Sequence, residues 1–268
     1  MPTTSRSPST FPAGSSALES FGLKFTDGGA HISRTMMLSE LEAALAAVPA
    51  GASADEYRAA VLGRNVLGKT TQSTRKKTLR HLRELYALDE EVPIFGLLRK
   101  LHSVDHGASL PLLALQVAWS RDPLLRATTP PVLDAAMGDR VERASLVHAF
   151  EAVFPEQYSA ATLKTTTQNA ASSWAQAGHL KGHLKKIRQQ VKPTAVAVTM
   201  ALFLGQLAGY HGGKVFSSPW VRLLDLGADR ARAMAQEAHR AGLLDLRAVG
   251  EIVELSFPML EMFRSTFA

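Results

Sequence analysis

The sequence predicts a mainly α protein: a multi-helix bundle with helix-turn-helix and winged-helix elements and one small β-hairpin. Three observations carry that expectation. Apolar residues recur every three or four positions along most of the chain, which marks amphipathic helices. Ser, Gly and Pro stand where helices should start and stop. Strict two-residue alternation of apolar side chains is confined to the stretch around Gly250. The 268 residues are 46% hydrophobic, enough to bury a sizeable core.

The elements follow in order. Met1 to about Ser20 is rich in Ser, Thr and Pro and lacks the charged start and apolar run of a secretory signal, so residues 1–22 are expected to be a disordered tail. An N-terminal helical domain (23–136) and a C-terminal one (137–268) are expected after it. Leu38, Leu41, Leu45 and Val48 form the stripe of a helix ended by Pro49 and Gly51. Ser53, followed by Asp55 and Glu56, caps a second helix that runs through Leu62 and stops at Gly63. A short turn leads to a third, capped by Ser73, with Leu79, Leu82, Leu85 and Leu88 toward the core and Lys76, Lys77, Arg80 and Arg83 away from it. Helix, tight turn and basic helix form the first helix-turn-helix. From Ile94 to Ala136 two apolar helices flank Gly107, and Pro123, Pro130 and Pro131 break the chain after them. That region, Trp119 included, reads as core.

From Glu142 the same order returns. A helix carries Leu146, Val147 and Phe150, Pro155 turns the chain, and Ser159 caps a helix that ends at Gly178. This second helix is expected to bury Leu163, Ala170 and Trp174 and to present Lys164, Thr165, Gln168, Asn169 and Ser172. Gly182 then turns a two-stranded basic wing bearing Lys181, Lys185, Lys186 and Arg188. A last helix, Asp229 to Ala241, precedes a hairpin about Gly250 whose Asp245, Glu251 and Glu254 suit domain packing or a protein partner better than DNA.

Charge distribution points to a polyanion. Between Arg64 and Tyr86 seven Lys or Arg face the single acid Glu84, and between Ala161 and Pro193 six stand with no acid. These segments carry twelve net positive charges on a chain whose formal total is +6, so the remainder is net acidic. Clusters of one sign are the footprint of phosphate binding, although a single basic helix is more often merely solvated. The expected contacts are Lys69, Ser73, Arg75, Lys76, Lys77, Arg80 and Arg83 in the first segment. In the second they are Lys164, Thr165, Gln168, Asn169, Lys181, Lys185, Lys186 and Arg188. Double-stranded DNA is the expected partner; an RNA, or acidic proteins met by a scaffold, are the alternatives.

Other chemistries find little support. The absence of cysteine excludes disulfides, zinc-thiolate sites and cysteine nucleophiles, and a reducing cytoplasm is the simplest home. The most apolar stretch, Thr194 to Tyr210, is too short for a bilayer and reads as a core helix. Gly63 to Thr70 (GRNVLGKT) fits the phosphate-loop pattern G-x-x-x-x-G-K-S/T, yet a helix-periodic segment precedes it where a buried strand is required. His102 and His106, and His179 and His183, have ligand-like spacing without a third partner. No metal, no cofactor and no enzymatic activity are expected.

Two stretches, NVLGKTTQSTRKKTLRHLRELYALD and YSAATLKTTTQNAASSWAQAGHL, resemble the BrxA family of bacterial BREX phage-defence systems. The matching residues are Asn65, Leu67, Ser73, Thr74 and Lys76 in the first, and Ser159, Ala177, Gly178 and Leu180 in the second. The resemblance spans Phe25 to Phe257 and departs in the N-terminal tail and the apolar C-terminal section, so nothing is carried over after Pro193. It implies a small all-helical protein with helix-turn-helix elements, similar to the NusB antitermination fold, that binds DNA alongside other BREX proteins.

Overall fold

Side-chain caps set about half of the helix starts. The computed structural model describes residue 11 and residues 15–26, 28–249 and 252–263. Helix α1 (Ser15–Phe21) replaces part of the expected tail. Its Leu18 and Phe21 are fully buried, and the ring of Phe11 stacks on Trp220 at 5.0 Å. Burial of three apolar side chains in a Ser-rich stretch overrides composition; the remainder of the expected tail, residues 1–10 and 12–14, lies outside the described residues.

Helices α2 (Leu38–Ala47) and α3 (Ala54–Arg58) follow. Ser53 and Glu56 form a reciprocal capping box at the start of α3, which continues as a π-helical turn over Ala59–Gly63. The chain then runs from Arg64 to Thr71 before α4 (Gln72–Tyr86) begins. That connection is longer than the roughly three- to four-residue turn of a helix-turn-helix, so the expected tight turn is corrected. The cap is corrected as well. Thr71 Oγ1 accepts the Thr74 N–H at 3.1 Å, and Ser73 already lies inside the first turn. Leu82, Leu85 and Leu88 are fully buried and Leu79 nearly so.

Helices α5 (Pro93–Val104) and α6 (Leu110–Arg121) form the centre of the core. Two short helices, α7 (Pro123–Ala127) and α8 (Thr129–Leu133), start at the prolines expected to break the chain, because Pro in the first turn lacks only an N–H that would be orphaned anyway. Next come strand β1 (Arg140–Val141), helices α9 (Arg143–Val153) and α10 (Ala160–Gln176), and strands β2 (Leu180–Lys181) and β3 (Lys186–Arg188). The three strands form one antiparallel sheet in the order β1-β3-β2.

Helix α11 (Ala195–Leu207) is buried along nearly its whole length and packs on α5, α6 and α13 (Ala228–Arg240), with the short α12 (Pro219–Arg222) beside it. One hydrophobic core therefore runs across position 136, where the sequence suggested a domain boundary. The expected second hairpin is present as β4 (Asp245–Val249) and β5 (Ile252–Ser256), paired with Arg247 opposite Glu254. Gly250 and Glu251, assigned to its turn, lie outside the described residues. Among the described residues no helix is long and apolar enough to cross a membrane.

Candidate nucleic-acid interface

Helix α10 is the centre of the candidate surface. Ser159 Oγ caps it by accepting the Thr162 N–H at 3.3 Å, and Gly178 leaves it with φ +94°, the left-handed conformation that closes helices. Its inner side is anchored by Trp174, fully buried, whose indole N–H donates to Thr128 Oγ1 at 2.9 Å. A small cluster of Leu124, Ala127, Phe150, Phe154 and Leu163 glues α7, α9 and α10 together. The outer side exposes Lys164, Thr165 and Gln168, with Ser172 partly exposed.

The wing follows at once. Leu180 pairs with Arg188 and Lys181 with Ile187, while β1 adds Arg140 opposite Ile187 and Val141 opposite Lys186. Gly182 makes the turn possible. It has φ +102°, and a Cβ there would stand 2.2 Å from the Lys185 carbonyl oxygen. At the tip His183, Leu184 and Lys185 are exposed, Leu184 by 88%. Strand, helix, helix and hairpin follow in this order, with the first strand paired to the last and residues 154–159 connecting the two helices.

A groove of about 810 Å³ lies between α9, α10 and the wing. Arg140, Arg143, Gln168, Ser172, His183 and Lys186 are among its lining residues. Arg140 is already paired with Glu142 at 2.9 Å, and burial lowers the affinity of Lys186 for its proton. Arg143 and His183, both exposed, line the groove and stand outside the set of contacts expected from the sequence. Arg143 stands just after β1, and a two-residue strand has no periodicity to reveal it.

Several expected contacts have internal duties instead. Arg188 is 1% exposed and its guanidinium forms a two-pronged pair with Asp225, so it cannot reach a partner. Asn169 Nδ2 donates to the His31 carbonyl at 2.9 Å, so its amide N–H is engaged inside the protein. In the first segment Lys69 Nζ is bound to Glu40 at 2.9 Å, and Arg75 Nε and Nη1 donate to the carbonyls of Lys69 and Leu62. Arg83 donates to the Ala54 carbonyl. Ser73, Lys76, Lys77 and Arg80 remain exposed. The loop matching the phosphate-binding pattern follows a helical turn rather than a strand, and Asn65 Oδ1 takes the Lys69 amide at 2.9 Å.

Beneath α10 lies a series the sequence did not suggest. Asp122 Oδ2 is 2.7 Å from His31 Nδ1, and His31 Nε2 is 2.8 Å from Ser173 Oγ. This is the order of a hydrolytic triad, but all three residues are buried, and Ser173 Oγ also accepts the Met36 N–H at 2.8 Å. No substrate carbonyl can reach that oxygen, so the series serves as a tie between α10, α6 and residues 31–36. Burial alone would push the Asp122 carboxyl up; the charge and hydrogen bonds of His31, with the Leu125 amide, hold it below its ordinary value. Among the described residues no group of three or more His, Asp or Glu is placed to hold a metal. Compared with protein-family models and with curated proteins, the chain matches none.

Proposed function

We propose that this protein binds double-stranded DNA, with α10 against the major groove and the β2–β3 wing on the neighbouring backbone. The observation that supports the reading most is the coincidence of architecture and charge. The helix and wing of a winged helix-turn-helix carry Lys164, Lys181, Lys185 and Lys186 in a segment without a single acid. Lysines of this kind neutralise phosphates and set orientation, while Gln168, exposed at the middle of the helix, has both a donor and an acceptor for an adenine edge. Leu184 gives the wing an apolar tip suited to the sugars and base edges of a minor groove.

The likeness of the Asn65–Asp89 and Tyr158–Leu180 stretches to BrxA extends the proposal to a role: a non-enzymatic accessory of a phage-defence system, acting in the cytoplasm with other BREX proteins. Competition between a DNA duplex and an RNA duplex of equal length tests the nucleic-acid reading. Preference for DNA is expected, since the deep, narrow major groove of A-form RNA does not admit a helix. Equal or tighter binding of RNA would overturn it.

A further inference from the structure

Residues 31–36 connect the two basic helices. The His31 carbonyl holds Asn169 of α10, and two residues later Ser33 Oγ meets His81 Nε2 of α4 at 3.3 Å. Farther along, Gln176 Nε2 donates to Thr35 Oγ1 at 3.2 Å. The segment therefore runs along α10 while touching α4. At the reach of an extended chain, the two tie points are at most about 7 Å apart.

The surface over this bridge has one sign. Ile32 and Ser33 are exposed, Arg34 is partly exposed with Nη1 on the Ser33 carbonyl at 2.9 Å, and no acid occurs from Gly28 to Ser39. On α4, Arg80 Nη2 lies 3.3 Å from His81 Nε2, and Lys76 and Lys77 are exposed one turn back. Burial and then the Arg80 charge lower the His81 pKa, so the ring stays neutral and Nε2 remains an acceptor for both Ser33 and Arg80. The nearest acid, Glu84, is turned to the other ring nitrogen, 3.4 Å from His81 Nδ1.

We propose that α4 and α10 form one track and not two sites: a duplex seated on α10 and the wing continues over Ile32–Thr35 onto Arg34, Lys76, Lys77 and Arg80. The inference rests on the DNA reading of α10. On this track the α4 end contributes affinity and orientation through phosphate contacts. Arg34, outside both basic clusters of the sequence, becomes a phosphate contact.

The test uses the full chain and a duplex of about 20 bp, with stoichiometry measured well above the dissociation constant and affinity measured across salt. A single track predicts one duplex per chain. Lys76→Glu with Lys77→Glu should weaken binding at least about tenfold and make the slope of log K against log salt shallower by about 2, and Arg34→Ala by about 1. These side chains are exposed, and melting curves of the variants check that the fold persists. Two duplexes per chain would overturn the track. So would unchanged affinity on reversing Lys76 and Lys77 while Lys164→Glu with Lys185→Glu abolishes binding; the DNA reading of α10 then stands alone. If the α10 and wing reversal changes nothing, that reading falls and the track falls with it.

Discussion

Arg188 Nη1 lies 3.2 Å from Asp225 Oδ2, and this buried pair fastens the last strand of the wing to the turn after α12. Asp225 Oδ2 also accepts the Val191 N–H at 3.1 Å, so one carboxylate holds both ends of the segment leaving the sheet. Removing one partner of such a pair strands a charge in the interior. Arg188→Ala is therefore expected to cost about 3–5 kcal/mol, seen as a lowered Tm. Replacing both with neutral residues, Arg188→Met with Asp225→Asn, should recover part of the loss, because the Asn amide oxygen can still accept the Val191 N–H. A milder single variant and a worse double variant would contradict this.

Gly182 is the second fixed point of the wing. Gly182→Ala places a methyl group 2.2 Å from the Lys185 carbonyl in a backbone conformation that L residues rarely adopt. A local cost of roughly 1–3 kcal/mol is expected. Hydrogen exchange should accelerate at residues 180–188 while α5 and α6 stay protected, and DNA affinity should fall with the wing.

Acid should loosen the same region. His179 is fully buried, with Nε2 on the Leu223 carbonyl at 2.8 Å and the ring edge-on to Trp174. Desolvation lowers its pKa from 6.5 to about 4, only partly offset by the nearby Asp225. The folded protein thus binds fewer protons than the unfolded chain between these values. The stabilisation is complete above about pH 6.5 and is lost as pH falls toward 4, by about 3 kcal/mol in all. Buried His81 and partly buried His102, also lowered first by burial, add in the same direction. Urea melts at pH 7 and pH 4.5 measure the loss, and His179→Gln should reduce it.

Ser173 offers a test of the buried series. Ser173→Ala leaves the Met36 N–H and His31 Nε2 without their partner. Each orphaned group costs roughly 1–3 kcal/mol. A serine-directed phosphonate should not label the folded protein; labelling lost in Ser173→Ala would show instead that the oxygen is accessible.

Local chemistry was legible where it was written in adjacent residues. The caps Ser53 and Ser159, the stop at Gly178, the turn at Gly182 and the leucine stripe of α4 all follow from short-range rules. Thr71 was missed as a cap because Ser73 is the stronger capping type and only the backbone path decides between them. Long-range partners were not legible. Nothing near Arg188 announces Asp225, and nothing near Asn169 announces the His31 carbonyl, so charge and polarity alone assigned both to the surface. Phe11 and α1 were hidden by the Ser-rich composition around them, and β1 by its length.

The salt dependence of duplex binding, compared between the native chain and the triple variant Lys164→Glu, Lys185→Glu, Lys186→Glu, tests the central claim most directly. Log K against log salt should fall for the native chain with a slope of about −0.9 for each phosphate contacted, and the variant should lose about 3 units of that slope and most of its affinity. A salt-insensitive native protein, or a triple variant that binds duplex DNA as well as the native chain, would contradict it.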